Sequence, residues 1–314
     1  MLSRERKKHE ENRGPGSSPS TPKSATQLRG LAYLPADTNI VFAVQAGPFL
    51  AHAKDKGQDP GEFLTRAGLP RSVLNVASDL GLSLEQIDHD AGGTFIGDGA
   101  FDPRFTLALI LRQPLSDEED FLKRLKAKKQ VGGKSRYDVS LGALPMTMVR
   151  VSPTEWVFGL ELGATPAKNL DAVDRKYELG GKQFPPVLAE VIATRVPPDA
   201  AAWIATNEEE WAQKAGVKLV VGNLMKRPEW LPSLARGRAA MAAISLGEKP
   251  RLHLFVKAAD DASGRRIRDY FRSLATDPKA KSGGEGTTVL YESPIDPAAV
   301  YTTVQKMFDA SEKE

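Results

Sequence analysis

Two stretches decide how this chain is read: Phe105-Thr106-Leu107-Ala108-Leu109-Ile110-Leu111 and Leu252-His253-Leu254-Phe255-Val256. Phe105, Leu107, Leu109 and Leu111 alternate along the first, and Leu252, Leu254 and Val256 along the second. A period of two puts those side chains on one face of a half-buried strand. Working outward, each stretch has the same neighbours. Gly93-Thr94-Phe95-Ile96 and a turn at Gly97-Asp98-Gly99 precede the first; Ala240 to Leu246 and a turn at Gly247-Glu248-Lys249-Pro250 precede the second. Each is followed by a helix with apolar residues at i, i+1 and i+4: Phe121, Leu122 and Leu125, then Tyr270, Phe271 and Leu274. Ser116 with Glu119 reads as a capping box for the first helix.

The outer landmarks also match. Leu34-Pro35-Ala36-Asp37 leads into the strand Asn39 to Val44, and Val196-Pro197-Pro198-Asp199 leads into Ala202 to Ala205. Helical regions follow at 49–80 and 208–225. Strands are expected at 146–151, 156–160 and 287–291. Thr165-Pro166-Ala167 and Asp296-Pro297-Ala298 each place a capping residue before a proline at the start of a closing helix. The shared order is β-α-β-β-α-β plus a helix, the ferredoxin-like arrangement. The sequence therefore predicts an α+β chain of two tandem divergent repeats, residues 31–177 and 196–314, joined by a junction at 178–195. Each repeat would form its own antiparallel sheet with helices on one face, and Leu107 with Leu254, Leu122 with Phe271 and Val173 with Val304 would be buried equivalents.

The chain has 314 residues, 41% hydrophobic and 26% charged, an ordinary globular composition. It contains no cysteine, which excludes disulfides, thiolate metal sites and cysteine nucleophiles. Of the net charge of +3, residues 1–30 carry +4, with seven Lys or Arg against three Glu, so the remainder is nearly neutral at −1. A basic balance that resides in a terminal segment argues against a specific nucleic-acid partner. Gly14 to Pro22 is rich in Gly, Ser and Pro, and residues 1–30 read as a disordered basic tail. The longest uncharged run, Thr38 to Ala53, is interrupted by Gly47-Pro48 and is too short for a spanning helix of ~20 apolar residues. No apolar signal region follows the basic start, so the sequence reads as a soluble chain without a signal peptide or transmembrane segment.

Tyr33-Leu34-Pro35-Ala36-Asp37-Thr38-Asn39 and Gly81-Leu82-Ser83-Leu84-Glu85-Gln86-Ile87-Asp88 resemble uncharacterised planctomycete-type bacterial proteins in which a similar region lies beyond a membrane helix, sometimes behind a Ser/Thr kinase. The resemblance spans roughly 31–310. It implies a non-catalytic extracytoplasmic module and supplies no active-site residues.

Candidate sites are few. Gly132-Gly133-Lys134-Ser135 lacks the first glycine of a phosphate loop, because Lys128 stands there, and a helix precedes it where a strand should. Lys126, Lys128, Lys129, Lys134 and Arg136 belong to a basic run that could bind phosphate or another anion. Acids at 117–120 begin the same helix, so a solvated face arranged by the helix dipole also explains the run. Asp88-His89-Asp90 is the one histidine flanked by carboxylates, and it reads as a surface turn. Asp98 and Asp102 lack the remaining ligands of a calcium loop. No catalytic, metal or cofactor constellation emerges. The expected function is a non-catalytic binding or scaffold module with a protein partner, as the sensory or adaptor part of an envelope-associated system. The alternatives are a hydrolase-like enzyme with a carboxylate/arginine site in a cleft between the repeats, or a phosphate or nucleic-acid binder acting through the basic helix at 116–129.

Overall fold

The computed structural model of the chain describes residues 22–66, 80–95, 104–130, 135–141, 144–161, 181–207, 237–274 and 278–296. The strands are β1 (Ile40–Val44), β2 (Ile87–Phe95), β3 (Arg104–Leu111), β4 (Lys128–Lys129), β5 (Arg136–Leu141), β6 (Leu144–Ser152), β7 (Glu155–Glu161), β8 (Ala200–Thr206), β9 (Ala239–Ser245), β10 (Arg251–Lys257), β11 (Lys281–Gly283) and β12 (Thr288–Pro294). The helices are α1 (Ala46–Asp55), α2 (Pro60–Arg66), α3 (Glu118–Arg124), α4 (Pro186–Thr194) and α5 (Asp261–Leu274).

The strands form one sheet in the order β11-β12-β10-β9-β8-β1-β2-β3-β7-β6-β5-β4. Every neighbouring pair is antiparallel. This overturns the expectation of two ferredoxin-like repeats. That fold needs a helix to carry the chain across to a parallel strand. Here β1 lies beside β2 and β2 beside β3, so the helix between β1 and β2 returns the chain to an antiparallel neighbour. Nor do the described strands form two sheets. β1 pairs with β8, with Val41 opposite Ala205 and Ala43 opposite Trp203, and this fuses the two halves edge to edge. Among the described residues, the halves meet along this seam as hydrogen-bonded strands.

Helical segments cover both faces, not one. On one face lie residues 24–34, two short 3-10 turns at Ala25–Gln27 and Arg29–Tyr33, together with α4. They seat Leu28, Leu31, Leu34, Leu188 and Ile192 on Val41, Ala43, Ala91, Trp203 and Ala205. Each of those fully buried leucines contributes about 2 kcal/mol by leaving water. Order thus reaches back into the stretch read as a disordered tail, and the stretch read as a junction contains a core helix. The approach is close because the facing residues are small: a Cβ on Gly30 would stand 2.9 Å from that of Ala91.

On the opposite face α1 and α2 pack Phe49, Ala53 and Phe63 against Ala201 and Leu246. α3 brings Phe121 onto Met148, Trp156 and Phe158. α5 brings Ile267 and Phe271 onto Val256, Val289 and Tyr291. The cap of α3 is Asp117, whose carboxylate accepts from the amide of Asp120, one residue later than the predicted Ser116. Leu107, Leu122 and Leu254 are half-buried and Phe271 is buried, while Val173 and Val304, both closing helices, and the turn at Gly97-Asp98-Gly99 lie outside the described residues. Among the described residues no helix is long and apolar enough to cross a membrane.

Candidate functional site: a polar cavity at the β4–β7 margin

The last turn of α3 sets the first side chain of the site. The amide of Ala127 donates to the carbonyl of Leu122 at 2.9 Å and that of Lys126 to Lys123 at 3.0 Å. This is the paired bonding of a Schellman ending, whose turning residue is left-handed and usually glycine. Here it is Lys126, with φ +51°. The chain then enters β4, where Lys128 stands opposite Asp138 of β5. Asp138 stands opposite Thr147 of β6, and Thr147 opposite Gly159 of β7. Alternation places Lys128, Asp138 and Thr147 on one face of the sheet, and Ser140 joins Asp138 two residues along β5. Gly159 contributes no side chain, which leaves the floor open.

The result is a cavity of about 380 Å³ lined by Lys126, Lys128, Asp138, Ser140, Thr147 and Gly159, with Val139, Pro145 and Met146 completing its wall. Its size falls within the range of small-ligand sites, roughly 300–1,000 Å³. Thr147 is buried, the two lysines are exposed, and Asp138 accepts a 2.6 Å hydrogen bond from Gln130. The set combines two ammonium donors, two hydroxyls and a carboxylate. It suits an anionic group that also carries a donor.

Of the basic residues singled out in the sequence, the structure brings Lys126 and Lys128 together here. Lys129 points to the other face, opposite Tyr137. Arg136 shares the cavity's side of β5 but stays outside the lining, and Lys134 lies outside the described residues. Asp138, Ser140, Thr147 and Gly159 were missed. The signal was present in β5, where Tyr137, Val139 and Leu141 alternate with Asp138 and Ser140.

Asp88-His89-Asp90 lies within β2, not in a surface turn. His89 is buried and its Nε2 accepts the amide of Gly30 at 3.1 Å. Its proton is therefore on Nδ1, donated at 2.7 Å to Asp88, which also receives Lys23 Nζ at 2.6 Å. Burial works to raise the Asp88 carboxyl, but the hydrogen bonds from His89 and Lys23 outweigh it and hold it well below the usual range. Both imidazole nitrogens are occupied by the fold, so this histidine has none left for a metal or a substrate. Nearby, Tyr33 donates to Glu155 at 2.9 Å, and burial with that bond pushes the phenol up to about 12. Arg29 meets the same carboxylate at 2.9 Å. These contacts latch residues 23–33 to the sheet. Asp90 faces the other way, half-buried, and burial raises it to about 6.

Among the described residues no group of three or more His, Asp or Glu is placed to hold a metal. A second cavity of about 370 Å³, outside α1, is lined in part by Lys54, Glu85 and Arg112, but Arg112 already donates to the carbonyl of Ile87. Asp98, Asp102 and residues 132–134 lie outside the described residues.

No family model matches the chain, and no curated protein matches it in sequence. Among solved structures it is similar to crystal form III of TP0453, with a TM-score of 0.55 and 10% identity over 89% of this chain and 98% of that one. Crystal form I of TP0453 aligns with a TM-score of 0.46 and 10% identity, over 92% and 98%. The likeness to crystal form III is one of fold.

Proposed function

We propose that this chain is a non-catalytic binding module that engages an acidic protein partner along the basic β4–β5 margin of its sheet. One observation carries the reading: the described residues that converge on the margin's cavity are ammonium groups, hydroxyls and one carboxylate, with no imidazole or paired carboxylate beside them. Such a set attracts and orients charge. The one carboxylate-flanked histidine is held by Asp88 and the Gly30 amide. The resemblance to planctomycete-type extracytoplasmic modules supports a sensory or adaptor role in an envelope-associated system.

The test is cross-linking in the native host, comparing the natural chain with Lys128→Glu/Lys129→Glu. The double variant should lose one defined acidic protein from the cross-linked set while keeping its circular dichroism spectrum. Equal recovery of every partner by both chains would end this reading. Substrate turnover that depends on Asp138 would replace it with an enzymatic one.

A further inference from the structure

We infer that the cavity over Gly159 is a binding site for a small hydroxylated anion, a carboxylate or phosphate ester. Its charge would lie between Lys126 and Lys128, and its hydroxyl would donate to Asp138. The inference rests on reading the chain as a binding module, but its test requires no protein partner.

Three independent observations converge. The first is the concave space, about 380 Å³ and open to solvent, over a glycine in an otherwise side-chain-bearing row. The second is composition. The register row Lys128, Asp138, Thr147 and Gly159 is polar across strands whose other face carries Met146, Met148, Trp156 and Phe158. Val149 and Val157 on the cavity's face are buried, so the polar row is a local interruption of an apolar layer. The third is backbone conformation. A left-handed position at a helix end favours glycine, because a side chain there meets its own backbone. Lys126 occupies it, with φ +51°, and lines the cavity. Turn geometry alone selects against lysine at this point; a charge required in the cavity selects for it.

Two ammonium groups complement one anionic head. The exposed Asp138 beside them disfavours a bare dianion and favours an anion that brings a donor. This predicts discrimination between glycerol 3-phosphate or glycerate and inorganic phosphate.

Isothermal calorimetry and amide chemical-shift titration on the full chain provide the test, with glycerol 3-phosphate, glycerate, inorganic phosphate and an acetylated glutamate peptide as probes. One of the two hydroxylated anions should bind saturably and at least tenfold more tightly than inorganic phosphate, shifting the amides of Ser140 and Thr147. Lys126→Gly should weaken that binding tenfold or more while the melting temperature stays level or rises. Thr147→Val, close in shape, should weaken it with the fold intact. Absence of saturable binding, equal affinity for inorganic phosphate, binding by the peptide alone, or unchanged affinity in Lys126→Gly would each overturn the assignment. A charge-only interaction of the margin with proteins would survive any of these results, so failure here leaves the partner experiment to be decided separately.

Discussion

His89 accepts a hydrogen bond from Gly30 on one side and donates one to Asp88 on the other. Replacing it by alanine strands a buried amide and a carboxylate, which should cost about 2–3 kcal/mol in urea unfolding. Hydrogen exchange at residues 24–34 should accelerate. His89→Gln keeps one acceptor and should recover part of the loss; equal losses would show that ring packing, not hydrogen bonding, matters. Asp90 behaves in the opposite sense to Asp88. Its folded carboxyl sits at about 6 against an ordinary 3.8. The folded state therefore holds the proton more tightly, and stability is full below about pH 4 and declines as pH rises through 6. Asp90→Asn should match the natural chain at pH 4 and exceed it by about 1–2 kcal/mol at pH 7.5. A gain that is the same at both pH values would refute the assignment.

At the scale of elements, β1 and β2 meet through an unusual contact: the ring of Phe42 lies over Gly92. A Cβ there would stand 2.1–2.7 Å from three ring carbons. Gly92→Ala should cost about 3 kcal/mol. Combined with Phe42→Ala, the loss should be well below the sum of the single losses, and strict additivity would show that the two do not touch. The segment over the other face is held by packing as well as by its latches. Leu28→Ala should cost about 2–5 kcal/mol by calorimetry. A change below 0.5 kcal/mol would restore the disordered-tail reading.

This scale also shows what the sequence made legible. β1, β3, β9 and β10 were readable because apolar alternation is a local property of each strand. The early part of β2 was not, because Asp88-His89-Asp90 is polar and its partners, Lys23 and Gly30, lie about 60 residues away. Pairing was also hidden: no local signal tells β1 to take β8 as its second neighbour. The cavity was legible in half. Lys126 and Lys128 stood out by charge, whereas Ser140, Thr147 and Gly159 acquire meaning only once β5, β6 and β7 are side by side.

Over the whole molecule, the β1–β8 seam joins both halves into one hydrogen-bonded sheet, and one core cluster contains Leu28, Ala43, Leu188 and Trp203. Unfolding should be a single cooperative event. Variants keeping only Trp156, in the β7 half, or only Trp203, in the β8 half, should report the same midpoint by fluorescence; separated midpoints would show two units. The same wiring has a consequence for biosynthesis. Gln45 binds the backbone of Lys23 on one side and the carbonyl of Ala200 on the other, and Leu28 shares its cluster with Leu188. Residues 24–34 leave the ribosome well before the surface they cover, which is not complete until residue 205 has been made. At 5–20 residues per second that is an interval of roughly 9–35 s. Throughout it, Leu28, Leu31 and Leu34 have only part of their native surface, Val41, Ala43 and Ala91, and the β8 edge of β1 is bare, which makes the nascent chain, more than the finished protein, a client for a chaperone.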